Sequence, residues 1–227
     1  MKSQFSILLA ATLFASANAS ADTLAQWTFE TSAPTTAGTF APEVGSGSAL
    51  GFHASSSVVY SNPVGNGSGE SFSSNYWSVG DYYQFQTSTV GYEDIVVSWD
   101  QASSNTGPRD FMLSYSTDGF SFANFAAYSV LANAAPNPTW TSSTSHPVYG
   151  LSFDLSSIAA LDNQASVYFR LVDVSTVSAN GGTVATAGTN RVDNFTVMAA
   201  PVPEAETYAM MLAGLGLVGF MARRRKA

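Results

Sequence analysis

A chain of 227 residues with 45% hydrophobic residues is long enough for one domain with a sizeable core, and the absence of cysteine removes disulfides, zinc–thiolate sites and thiol catalysis. Residues 22–200 hold three arginines, no lysine and fourteen acidic side chains, a formal charge of −11. Such a body repels phosphate backbones, which argues against nucleic acid as a partner.

The N-terminus, MKSQFSILLAATLFASANASAD, begins with Lys2, runs through the apolar stretch Phe5 to Ala15 and ends in two A-x-A sites, Ala17-Asn18-Ala19 and Ala19-Ser20-Ala21. This three-part order predicts a signal peptide over residues 1–21. Export through the Sec translocon and cleavage by signal peptidase after Ala21, with Ala19 as the second choice, follow from it.

Residues 22–200 form the next unit, and no long 3.6-residue periodicity occurs in them. Short runs of β-branched and aromatic residues alternate instead with Gly, Asn, Ser and Pro clusters. The runs begin at Trp27-Thr28-Phe29, then Ser57–Tyr60 and Tyr82–Phe85. In DIVVSWD, Ile95, Val97 and Trp99 share one face. In FMLSYSTDGFSF, Phe111, Leu113 and Tyr115 share a face before the hairpin dipeptide Asp118-Gly119. Tyr149, Leu151, Phe153 and Leu155 point inward in the next run, and SVYFRLVDV groups Val167, Phe169 and Leu171 with Arg170 outward. RVDNFTV, from Arg191 to Val197, comes last. About nine alternating strands predict an all-β fold, an antiparallel β-sandwich of the jelly-roll type. The polar segments Asn133–Ser145 and Ala179–Asn190 are expected as loops at its ends, either surface excursions or ligand loops.

Catalytic motifs are missing: neither His53 nor His146 has a chemical partner nearby in sequence, and no G-x-S-x-G, H-E-x-x-H or phosphate loop occurs. Asp100 and Glu93 are the carboxylates an enzyme reading would use, but the expectation is a non-catalytic domain. A structural calcium suits loop Asp and Asn side chains such as Asp118, Asp193 and Asn194, yet turn and bulge roles suit them better, so no ligand is assigned and no cofactor is expected. The aromatics Tyr76, Trp77, Tyr82, Tyr83 and Trp140 are the candidate glycan contacts, because sugar C–H faces pack on rings. Alternation sends about half of such rings into the core. Trp140, alone in a polar loop, is the first choice.

Residues 201–227 read PVPEAETYAMMLAGLGLVGFMARRRKA. Thr207–Ala222 is uncharged and reaches roughly 24 Å as a helix, somewhat short of a ~30 Å hydrocarbon core, and predicts a transmembrane helix over 207–222 in a thin membrane or with snorkelling flanks. Arg223, Arg224, Arg225 and Lys226 (the basic tail 223–226) supply the stop on the cytoplasmic side. Pro201 and Pro203 hold Glu204 on an extended backbone.

The order Val202-Pro203-Glu204, a short spacer, an apolar Gly-rich span and a basic cluster resembles the PEP-CTERM sorting signal, with Ala205 standing where the motif (202–205) has its second proline. The resemblance implies a protein of Gram-negative, exopolysaccharide-producing bacteria, held transiently in the inner membrane, processed by exosortase and passed to the cell surface or extracellular matrix of a biofilm. Residues 92–198 are similar to exported bacterial β-sandwich domains ending in an R-[IV]-D-N strand, among whose relatives are carbohydrate-binding modules; this implies exopolysaccharide contact. The alternatives are a polysaccharide-active jelly-roll enzyme and a purely structural surface protein.

Overall fold

The structure, a computed structural model, describes residues 20–202 and the helical residues 205–224. The signal-peptide residues up to Ala19, together with Pro203, Glu204, Arg225 and Lys226, lie outside the described residues. Ala21 is exposed and stands one residue before the first strand.

Short alternating runs become strands here because each can bury one face only against a second sheet. The first six are β1 (Asp22–Trp27), β2 (Gly38–Phe40), β3 (Val44–Gly45), β4 (Ser48–Phe52), β5 (Tyr60–Ser61) and β6 (Phe72–Ser74). Four longer ones follow: β7 (Tyr82–Thr87), β8 (Tyr92–Ser103), β9 (Asp110–Ser116) and β10 (Ala123–Ser129). The series ends with β11 (Leu131–Ala132), β12 (Gly150–Asp154), β13 (Val167–Asp173) and β14 (Asn190–Pro201). One sheet is ordered β11-β8-β14-β1-β3, with β12 on β8 and β5–β6 attached to β14; the other is ordered β10-β9-β13-β7-β4-β2. All pairs are antiparallel except β11 with β8. The architecture is the antiparallel β-sandwich expected from the alternation.

Two sequence expectations shift. Thr28 and Phe29 leave β1 rather than extend it, because Phe29 adopts φ 61 to turn its ring into the core. Ser57–Tyr60 is mostly loop, and only Tyr60 pairs, with Ser74. RVDNFTV forms the start of β14 as expected, with a bulge at Asp193–Thr196 in which Asn194 takes φ 54. The bulge turns Asp193 and Thr196 outward while Val192, Phe195 and Val197 stay in the core.

The core lies between the sheets. Phe195 of β14 stacks on Phe85 of β7 with centroids 3.7 Å apart, and Trp27, Trp99 and Phe169 surround the pair. The Asp118-Gly119 hairpin joins β9 to β10 as expected, with Gly119 at φ +77 against the Tyr168 ring.

Ala205–Arg224 is one helix, α1, whose described side chains from Leu212 to Met221 are exposed. No helix among the described residues is long and apolar enough to cross a membrane.

Candidate functional site

The structure divides the predicted aromatics. Trp140 is 2% exposed and is not a surface contact. The segment between β11 and β12 folds back over the outer face of the larger sheet, where Trp140 and Tyr149 pack edge to face on Ala102 as a second small core. Asn133 accepts the Trp140 amide at 2.7 Å, Tyr149 donates to the Ala132 and Pro138 carbonyls, and Arg191 lies 5.5 Å over the Trp140 ring. Trp140→Ala is therefore expected to cost about 3 kcal/mol of unfolding free energy, measured by urea denaturation, and to leave sugar affinity unchanged. A stable variant with lost binding would reverse the assignment.

Trp77 and Tyr83 are also core residues. The Trp77 indole donates to the Ser74 carbonyl, and the Tyr83 hydroxyl donates to the Asn190 carbonyl while bonded to the Ser74 hydroxyl. Tyr76 is half-buried at φ 55, where its amide donates to the Thr186 carbonyl. Only Tyr82 of the group stands on an outer sheet face with stacking partners.

That face belongs to the six-stranded sheet. Alternation along β7 turns Tyr82, Gln84 and Gln86 outward, and β13 turns Tyr168, Arg170 and Val172 outward beside them. Phe52 on β4, 47% exposed, stacks on Tyr82 with centroids 5.0 Å apart and planes 17° off parallel. The Arg170 guanidinium lies 4.0 Å from the Tyr82 centroid and 3.6 Å from that of Phe122, just past the hairpin, and its Nε donates to Gln84 Oε1 at 2.8 Å. Phe52, Phe122 and Arg170 were not among the sequence candidates. Outward alternation of Arg170 was the signal, but the register that joins β4, β7 and β13 was not readable.

His53, isolated in sequence, is not isolated in space. Its Nδ1 is 3.0 Å from Asp81 and its Nε2 is 2.9 Å from the Ser74 hydroxyl, the bonding order of a hydrolase triad. Ser74 is fully buried and its hydroxyl also bonds Tyr83, so no substrate carbonyl can reach it. The network holds β4, β6 and β7 together. Burial would raise the Asp81 carboxyl, but hydrogen bonds from His53, Ala54 and Ser78 outweigh it and hold the group low.

A shallow cleft of about 330 Å³ opens on the larger sheet, lined by Gln26, Ser98, Asp100, Ser152, Asn194 and Thr196. Burial raises the Asp100 carboxyl against hydrogen bonds from Asn194 and Asn66. Asp193, opposite Asp100 in the ladder, is fully buried and pushed up to about 7 by burial. It accepts from the Asn66 amide, the Ser68 hydroxyl and the Asn194 amide, so its oxygens clamp the 62–71 loop rather than await a cation. Asp118 is likewise spent on its own turn, accepting from Phe120, Ser121 and Ser116. Among the described residues, no three His, Asp or Glu side chains form a metal-binding group. Glu93 lies at the far end of β8, paired with Ala200 and away from the cleft.

A comparison with curated proteins returned no match. Solved structures similar to the chain include the K1 cleaved adhesin domain of Lys-gingipain from Porphyromonas gingivalis W83, at 13% identity over 80% of this chain and 99% of that one, with a TM-score of 0.46. They include the CBM22-1–GH10 modules of Clostridium thermocellum xylanase 10B complexed with xylohexaose, at 14% identity over 81% of this chain and 30% of that one, with a TM-score of 0.45. The tandem CBM22 domains of Paenibacillus barcinonensis Xyn10C match at 14% identity, over 84% of this chain and 48% of that one, with a TM-score of 0.43. At the other end of the chain, residues 201–226 match the PEP-CTERM protein-sorting motif. Those residues are a PEP-CTERM sorting signal, and they mark the chain as an exported protein.

Proposed function

We propose that the chain is a cell-surface or exopolysaccharide-matrix protein, exported by the Sec route and processed by exosortase, whose non-catalytic sandwich binds glycan on the outer face of the six-stranded sheet. One observation carries the reading: Phe52 and Tyr82 form a stacked pair, with the amides of Gln84 and Gln86 and the Tyr168 ring beside it, on strands locked in register. Exposed aromatic surface packs on sugar C–H faces, and amides and phenols bond sugar hydroxyls. The rigid sheet holds these groups in place before binding, so little side-chain entropy is lost.

The test is binding of the exported body to a glycan array and to polysaccharide gels. Phe52→Ala with Tyr82→Ala is expected to weaken retention about tenfold, since an aromatic contact contributes about 1 kcal/mol. Retention of no glycan by the wild type would leave a purely structural role. Release of reducing ends would replace binding with the enzymatic alternative, for which Asp100 in the polar cleft is the specific observation.

A further inference from the structure

The body has three arginines and no lysine, and its cations are used differently. Arg109 grips Asp110 with two hydrogen bonds of 2.9 and 3.1 Å. Arg191 donates to the Val64 carbonyl and lies over Trp140. Arg170 has no carboxylate partner among the described residues. Its Nε is tied to a neutral amide, its plane is held between two rings, and neither terminal nitrogen is buried without a partner, so both reach solvent. A guanidinium immobilised in this way has already lost most of the rotamer freedom that binding would otherwise remove. Its two outward nitrogens match the spacing of a carboxylate.

The surroundings fit an anion. The outward neighbours across the ladder are Gln84 and Ser114, both neutral, and the hairpin's carboxylate, Asp118, is engaged by its own turn. A lone unpaired cation on a surface whose body carries −11 is therefore a local anion site in a repelling field. The field is screened beyond about 8 Å at physiological salt, whereas a bidentate contact at hydrogen-bond range is not.

We propose that Arg170 sets the specificity of this face by taking the carboxylate of an acidic sugar, so that the preferred ligand is a uronic-acid-containing glycan. This rests on the reading of the face as a glycan platform. The neighbouring hydroxyl and amide groups of Tyr168, Gln84 and Gln86 would then bond the ring hydroxyls of the same sugar.

The experiment compares a galacturonic-acid oligomer with the galactose oligomer of the same length and linkage, by calorimetry in 0.15 M salt. The wild type is expected to bind the uronate oligomer at least tenfold more tightly. Arg170→Gln should bring the ratio of the two affinities to about one, whatever it does to the affinity for the neutral oligomer, and Arg170→Lys should restore only part of the ratio, because an ammonium lacks the fork. Equal binding of both oligomers, or a preference untouched by Arg170→Gln, would overturn the assignment and leave the platform intact. Retention of no glycan at all would remove the platform as well.

Discussion

Phe195→Ala is expected to lower the unfolding free energy by about 4 kcal/mol, and the thermal midpoint by about 8–16 °C for a chain of this size. Phe195 is fully buried where the sheets meet. It stacks on Phe85 and touches Trp27, Trp99 and Phe169, so one ring joins β14 to β1, β7, β8 and β13. These partners are anchored on four different strands and cannot collapse together into the space left, which places the substitution near the top of the range for large-to-small changes. Urea denaturation followed by tryptophan fluorescence checks it. A loss under about 1.5 kcal/mol would mean that the sandwich repacks around the cavity.

The second large effect is on pH. Asp173 and Asp193 are buried carboxylates pushed up to about 7, chiefly by burial, with Asp81 and Asp110 raising Asp173 further. One oxygen of Asp173 has no hydrogen-bond partner among the described residues. Between the ordinary carboxylate range and about pH 7 the folded protein holds protons that the unfolded chain has released. Stability therefore falls as pH rises through this window, by up to about 1.4 kcal/mol per proton per pH unit. Asp110 and Asp118, held at about 2 by their hydrogen bonds, act with the opposite sign, but only as pH falls below about 4. The thermal midpoint should accordingly be highest near pH 4 and several degrees lower at pH 8. Asp173→Asn should raise the midpoint most at pH 8, leave it nearly unchanged at pH 4 and flatten the slope. A midpoint that climbs steadily from pH 5 to pH 8 would contradict the assignment of both groups.

How much of this was legible in the sequence depends on the range of the interactions involved. The sorting signal is a local pattern of proline, acid, apolar span and basic cluster, and residues 201–226 match it. Strands were legible for the same reason: alternation in DIVVSWD or SVYFRLVDV records which side chains meet the core, and Ile95, Val97, Phe169 and Leu171 are buried there. The apolar run after Thr207 was legible as a helix, and Ala205–Arg224 is one.

The site was less legible because its parts are distant in sequence. Trp140 looked exposed by its polar neighbours, yet a loop folded across a sheet buries its ring against Ala102 and Tyr149. His53 had no sequence neighbour of consequence, and its partners Ser74 and Asp81 arrive from β6 and the approach to β7. Composition and the two-residue period by themselves determined an acidic, all-β chain, and the local motif at residues 201–226 its sorting signal. Only the tertiary structure decided that Phe52, Tyr82, Arg170 and Phe122 stand together while Trp140 and Tyr83 do not. The physical reason is register: a period of two states that a side chain faces outward, and strand pairing between segments roughly thirty to ninety residues apart chooses its neighbours.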